Sequence, residues 1–311
     1  MPTLLVSHPA CLEHAVPGHP ESPARLESVL AALAAPAFAG LVRREAPEAT
    51  REELGRVHEL GYIDAVLAAV PPRGIVELDP DTALTPGSGR AALRAAGAVV
   101  MAVDAVVGGS VTNAFCAVRP PGHHAERGRP MGFCIFNNVA VGALHGRAAH
   151  GLERVAILDF DVHHGNGSQN VCAPDSALFY GSTHQSPAYP GTGRAHETGV
   201  AGNVVNVPLP PGTGGAKFRN AWAEQILPAL DAFAPDLVMV SAGFDGHRDD
   251  PLASLLLEEA DFAWVTKAIG AVAARHARGR LISVLEGGYD EDALASSVQA
   301  HVAELMLLRQ A

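Results

Sequence analysis

The stretch from position 155 to 169, VAILDFDVHHGNGSQ, constrains the fold more than any other part of the chain. Val155, Ala156, Ile157 and Leu158 form an unbroken apolar run, as expected of a parallel strand covered on both faces. Asp159, Asp161 and His163 follow at a spacing of two, so a strand that persists this far turns all three side chains to one side. Two carboxylates and an imidazole gathered there repel and desolvate at real cost unless a cation sits between them. Gly165 and Gly167 then break the strand and permit a tight turn. Taken alone, such a string fits a capped turn with surface histidines equally well. The rest of the chain decides between the two.

Other apolar segments also end in ligand-type residues. A short strand at 4–6 runs into His8, and a turn-rich loop with His14, His19, Glu21 and Arg25 follows; Ser22 then serves as the N-cap of a helix whose first residue is Pro23. The pattern predicts a helix over 51–70, a loop over 79–89, and a long Ala-rich helix from Ser88, as its cap, to about position 107. A strand at 114–118 ends in RPPGHHA, where two prolines and a glycine present His123 and His124 on a shaped loop. A helix over 137–150 precedes the central strand. A strand at 178–180 delivers Ser182, Thr183 and His184 at its end, and another covers 204–209. After a helix over 217–233, the run LVMVSAGFDG ends at Asp245; after a helix over 258–277, the strand 281–285 ends in Glu286, Gly287, Gly288 and Tyr289; a helix over 292–308 closes the chain. Strands alternating with helices imply a largely parallel sheet covered by helices, with its ligand crevice beyond the carboxyl ends of the strands.

No Ser/Pro-rich linker or charge block divides the 311 residues, so a single α/β domain over 1–311 is expected. The formal charge of −11 with no Lys/Arg cluster argues against a nucleic-acid partner. Cys11, Cys116, Cys134 and Cys172 form no CxxC pair and read as reduced thiols of a cytoplasmic protein. The N-terminus lacks a basic region followed by a long apolar segment, and the apolar helix near 95–107 is interrupted by Asp104; neither a signal peptide nor a membrane span is expected.

Asp161, His163 and Asp245 can bind a metal through two oxygens and one nitrogen, which leaves a position open for water or substrate, the catalytic arrangement. Zinc suits this set, and Fe(II) or Co(II) also fit. Such a metal lowers the pKa of water to roughly 7, His123 or His124 can act as general base, and Tyr289 can donate to a developing oxyanion. Alone, a His pair after Pro-Gly, a GFD or a GGY fits an ordinary turn. In this order along one α/β chain they describe metal-assisted amide hydrolysis.

These residues resemble the histone deacetylase family, the metal-dependent deacetylases of arginase-like α/β fold. The likeness runs from HPESPARL through RPPGHHA, GFCIFNN, DFDVHHGNGSQ, YPGTG and SAGFDGHRDDPLA to EGGYD, nearly the whole chain, and the Asn166 form with GFD and EGGY looks like the class II and bacterial branch. The resemblance implies a central eight-stranded parallel sheet. It carries the metal role onto Asp161, His163 and Asp245, the tandem-histidine role onto His123 and His124, and the oxyanion role onto Tyr289. It also implies that Asp159 orients His123 and that Asn166 faces His124. An amide raises the basicity of His124 less than a carboxylate would, which suits His124 as the base. A structural potassium ion is implied at Asp159, Asp161, His163, Ser182 and Thr183, partly through backbone carbonyls. The substrate tunnel falls on Phe133, Tyr189, Leu252, Gly132 and Gly287, with Asp81 at the rim and Arg25 in an inner cavity.

The implied activity is removal of acetyl or longer acyl groups from lysine side chains of peptides or proteins. Hydrolysis of acetylpolyamines or other small amides is the alternative. The apolar Leu252, where polyamine-selective relatives carry an acidic gatekeeper, favours lysine. Tyr289 speaks against a catalytically silent acetyl-lysine binding module, and Gly165, where a two-metal ureohydrolase needs a carboxylate, speaks against arginase chemistry. Short relatives in the family often form homo-oligomers.

Overall fold

The computed structural model describes residues 2–308; Met1 and residues 309–311, the two ends of the expected domain, lie outside the described residues. In chain order the strands are β1 (Thr3–Ser7), β2 (Val42–Glu45), β3 (Val76–Asp79), β4 (Thr82–Leu84), β5 (Asn113–Cys116), β6 (Val155–Asp159), β7 (Leu178–Gln185), β8 (Val204–Leu209), β9 (Leu237–Ala242) and β10 (Leu281–Leu285). Eight of them form one sheet in the order β2-β1-β5-β10-β9-β6-β7-β8, every pairing parallel. The eight-stranded parallel sheet implied by the sequence is therefore present. Strands β5, β6, β7, β9 and β10 are buried along their whole length, as expected of a parallel sheet covered on both faces.

The helices α1 (Pro23–Ala32), α2 (Arg51–Leu54), α3 (Leu60–Ala69), α4 (Ser88–Val107), α5 (Asn138–His150), α6 (Asn166–Cys172), α7 (Gly215–Ala221), α8 (Leu227–Phe233), α9 (Glu259–His276) and α10 (Glu291–Leu307) cover the sheet. Close packing depends on small residues: a Cβ on Gly142 of α5 would run into Val99 of α4 and Met239 of β9. All four cysteines are free and buried, and among the described residues no helix is long and apolar enough to cross a membrane.

Several local expectations are corrected, each for a physical reason. The helix predicted over 51–70 is two helices, because the intervening turn inserts His58 into the protein. There its Nδ1–H donates to the Glu126 carbonyl at 3.0 Å and its Nε2 accepts the Asn137 N–H at 2.9 Å. The loop predicted over 79–89 contains β4, which pairs antiparallel with β3 just before it. Ser88 is the first residue of α4 rather than its cap, and its Oγ accepts the Thr85 N–H at 2.7 Å. Ser182, Thr183 and His184 lie within β7, which is longer than expected. The helix predicted over 217–233 is interrupted by a π-helical turn at Trp222–Ile226 ahead of Pro228, whose missing N–H cannot continue the regular ladder.

The central strand stops at Asp159 instead of carrying Asp161 and His163 in extended form. Side chains take over from the ladder: Asp159 Oδ1 accepts the Asp161 N–H at 3.1 Å, and Asp161 Oδ1 accepts the His163 N–H at 2.9 Å. Two successive Asx-type turns thus pin the chain where the sheet ends. Gly165 is the N-cap of α6, and Gly167 lies inside that helix against the Ala125 backbone, so neither glycine breaks the strand itself.

Candidate active site

The exits of β5, β6, β9 and β10 lie side by side in the sheet, and the residues that follow them meet at one end. Asp161, His163 and Asp245 are within coordination reach of one another. His163 Nδ1 lies 3.2 Å from Asp161 Oδ1 and 3.1 Å from Asp245 Oδ2. Both carboxylates are sealed from solvent and further tied down: Asp161 Oδ2 accepts the Gly287 N–H at 2.9 Å and Asp245 Oδ1 the Val162 N–H at 2.9 Å. Room for this cluster comes from absent side chains. A Cβ on Gly243 would overlap the Asp161 carboxylate, and one on Gly287 the Asp245 carboxylate.

The electrostatics of the cluster fit a cation. Burial alone would depress the His163 pKa, but hydrogen bonds to Asp161 and Asp245 outweigh it and raise it to about 10. The imidazole and the two carboxylates converge where a divalent ion fits. Burial, then the neighbouring Asp161, pushes the Asp245 carboxyl above its ordinary value. Two acids, one imidazole and an open side toward a pocket suit a catalytic rather than a closed structural metal site.

The tandem histidines are held differently. His123 Nδ1–H donates to Asp159 Oδ2 at 3.0 Å, and Asp159 Oδ2 also accepts the Tyr180 hydroxyl at 3.1 Å. His124 Nδ1 lies 2.8 Å from Asn166 Oδ1. Burial would lower both imidazoles. At His123 the carboxylates of Asp161 and Asp159 outweigh it and hold the pKa well above its ordinary value, whereas His124 is held well below by burial and by the positive His123 and His163. Environment therefore separates the pair into one charged and one neutral imidazole.

A pocket of about 240 Å³ opens over this group. His123, His124, His163, Gly287 and Tyr289 form its base, and Gly132, Phe133, Tyr189, Leu252 and Asp81 its wall and mouth. Tyr189 and Leu252 are 40% and 42% exposed, as befits a rim. Asp81 Oδ1 accepts the Gly132 N–H at 2.9 Å, and Thr82 Oγ the Phe133 N–H at 3.1 Å, so the β3–β4 hairpin holds the wall. Phe133 itself has φ of 68°, a conformation costly for a bulky residue. Arg25 is fully buried below the pocket: it donates to Glu21 at 2.8 Å, to the Gly288 carbonyl, and to the Glu286 carbonyl at 2.6 Å, and its guanidinium lies 4.7 Å from the centre of the Tyr289 ring. Parallel pairing sets Asp159 beside Ser182, and the Thr183 hydroxyl accepts the Trp222 indole N–H at 3.0 Å.

Three supporting groups went unassigned in the sequence. Glu286 accepts the Gly122 N–H at 2.6 Å, the His123 N–H at 3.2 Å and the Ser241 hydroxyl at 3.0 Å, anchoring the histidine loop to β10. Asp250 accepts the backbone N–H groups of Leu252 at 2.9 Å and Tyr289 at 2.7 Å. Tyr180 donates to Asp159. A charged residue at the end of a mostly apolar strand was the visible signal for Glu286; nothing comparable marks Asp250 or Tyr180.

The profile of the histone deacetylase domain matches residues 19–305. Histone deacetylase-like amidohydrolase of Pseudomonas aeruginosa is 40% identical over 96% of this chain and 79% of its own length. Type-2 histone deacetylase 2 of Dictyostelium discoideum is 37% identical over 98% of this chain, which spans only 21% of that much longer protein. The crystal structure of the HDA15 HD domain superposes with a TM-score of 0.91 at 34% identity, covering 100% of this chain and 91% of that one. With a domain profile matched over residues 19–305, a relative 40% identical over most of both chains and a matching fold, the chain belongs to the histone deacetylase family.

Proposed function

We propose that the chain is a zinc-dependent amidohydrolase that removes acetyl or longer acyl groups from lysine side chains of peptides or proteins. The observation that carries this reading is the largely apolar pocket lined at its base by three histidines, one of them grouped with the carboxylates of Asp161 and Asp245. Phe133, Tyr189 and Leu252 suit an aliphatic stem at the wall and rim, while the polar groups at the base suit an amide.

Asp161, His163 and Asp245 would hold the divalent ion, with zinc the best match and Fe(II) the alternative. Bound there, the ion supplies Lewis acidity toward the amide carbonyl and lowers the pKa of water to about 7. Neutral His124, with Nδ1 committed to Asn166, takes the proton of the attacking water on Nε2. The Tyr289 phenol donates to the carbonyl oxygen as negative charge builds on it, a contact of the kind worth about 10²- to 10³-fold in rate. His123, its Nδ1 held 3.0 Å from the Asp159 carboxylate, stands beside that developing anion. As the C–N bond breaks, the proton on His124 passes to the departing amine, giving a carboxylate and free lysine. The oxygen-rich strand ends at Asp159, Asp161, His163, Ser182 and Thr183 support a structural K⁺ that offsets the clustered carboxylates.

The test is hydrolysis of acetyl-lysine, trifluoroacetyl-lysine and longer acyl-lysine peptides and of acetylpolyamines by zinc-loaded protein, in KCl and in choline chloride. Turnover of lysine peptides, higher in KCl, is expected. Turnover confined to polyamines would overturn the substrate assignment, and equal rates and stability in the two salts would overturn the K⁺ site.

A further inference from the structure

The amide that faces His124 is itself held from behind. Asn166 Nδ2 donates to Glu126 Oε1 at 2.8 Å, with longer contacts of 3.3 Å to the His124 carbonyl and 3.3 Å to Met131 Sδ. All three neighbours on that side are acceptors. The amide has one donor end and one acceptor end, so its NH₂ must face them and its Oδ1 must face His124. An oxygen there requires a proton on His124 Nδ1, which leaves the Nε2 lone pair free.

We propose that Glu126 is a positioning residue for catalysis, fixing the Asn166 amide so that His124 carries its proton on Nδ1 and offers Nε2 as the base. The proposal rests on the deacetylase reading for its kinetic consequence, though not for its structural one. With the amide reversed, Asn166 Oδ1 would point at the Glu126 carboxylate and its NH₂ at His124 Nδ1. The proton would then sit on Nε2, where it blocks base catalysis. A carboxylate makes the reversed state costly, because it cannot donate and charge-assisted hydrogen bonds are the strong ones. Without it, only the two long acceptors oppose reversal. Glu126 and Asn166 also line a solvent-open hollow of about 600 Å³, from which water can donate to a reversed amide. The Glu126 backbone carbonyl accepts from His58 and its N–H donates to the Arg129 carbonyl at 2.9 Å, so the side chain is carried on a fixed segment.

The experiment is a double-mutant cycle on the zinc-loaded full chain with Glu126→Ala and Asn166→Asp, plus Glu126→Gln, whose side-chain oxygen still accepts. Glu126→Ala should lower kcat about tenfold with KM little changed, within the range expected on losing a group that orients a reacting side chain, and Glu126→Gln should restore most of it. In the Asn166→Asp background there is no amide to orient, so Glu126→Ala should cost nothing there. ¹⁵N-histidine NMR reads the tautomer independently of turnover: His124 should be Nδ1-protonated in the parent and mixed in Glu126→Ala. Equal kcat losses in both backgrounds, or a His124 tautomer unchanged in Glu126→Ala, would overturn the proposal. If the parent hydrolyses no amide, the functional reading fails, and the tautomer still decides the positioning.

Discussion

Replacing Asp245 by Asn isolates charge from shape at the cation site. The Asn carbonyl can still accept the Val162 N–H, now 2.9 Å from Asp245 Oδ1, so the backbone after β6 keeps its anchor. What changes is the formal charge of the ligand set: Asp161, Asp245 and a neutral His163 sum to −2, matching a divalent ion, and the variant leaves −1. Changes one step further from a metal already weaken binding 10- to 100-fold, so loss of a ligand charge should raise Kd by at least about 100-fold. With zinc at about 100 times the parent Kd, binding stabilises the parent by about 2.7 kcal/mol; the variant, then near its own Kd, gains about 0.4 kcal/mol. The difference of about 2.3 kcal/mol corresponds to roughly 3.5 °C in Tm for a chain of this size. Differential scanning fluorimetry with and without zinc, alongside the lysine-peptide assay, measures both consequences. A parent that melts about 4 °C higher with zinc, beside an inactive variant whose Tm rises by less than about 1 °C, is expected. An Asn variant that keeps both the zinc-dependent rise and the activity would refute the ligand assignment.

Tyr289→Phe keeps the ring against Phe133, 5.9 Å between centroids, and against Arg25, so stability should change by less than about 1 kcal/mol while kcat falls about 10²- to 10³-fold; unchanged turnover would remove the oxyanion role. Acid should destabilise the fold through His58 and His301. Burial lowers their pKa values to about 4 and about 3, below the unfolded value near 6.5, so the unfolded chain binds more protons as pH drops through 6.5 and stability is lost in that direction. At pH 5 each contributes a loss of about 2 kcal/mol relative to neutral pH. In His301→Gln the difference between denaturant unfolding at pH 7.5 and pH 5 should shrink by that amount, and an undiminished difference would exclude His301 as a source.

That Asp161, His163 and Asp245 would meet the tandem histidines was legible because a parallel sheet sends every strand exit to the same end. Apolar runs ending in DFDVHH, GFD and EGGY therefore name their own meeting place. The failures have a common cause. Asp161 and His163 reach the site through Asx-type turns rather than a continued strand, and such turns are decided by side-chain hydrogen bonds that alternation does not reveal. β2 is a short, mostly exposed edge strand with two arginines and a glutamate, VRRE, so it carries no apolar signal. The β3–β4 hairpin is half-buried and irregular in register, which makes its sequence look like a loop. Glu126 and Asp250 act by accepting N–H groups from partners far along the chain, and only folding identifies those partners.

That hairpin gives the pocket a remote handle. Phe133 stands in a left-handed conformation beside two backbone hydrogen bonds to side chains 51 positions earlier, Asp81 and Thr82. A wall built this way is sprung rather than bedded: loosening the clasp lets the backbone relax toward an ordinary geometry and carries the ring with it. On the proposed function, preference for the stem that carries the amide nitrogen can therefore drift through changes in a surface ribbon remote from the reacting carbon. In an effort to widen or narrow the tunnel, residues 76–84 form a cassette to exchange while every group at the metal stays as it is.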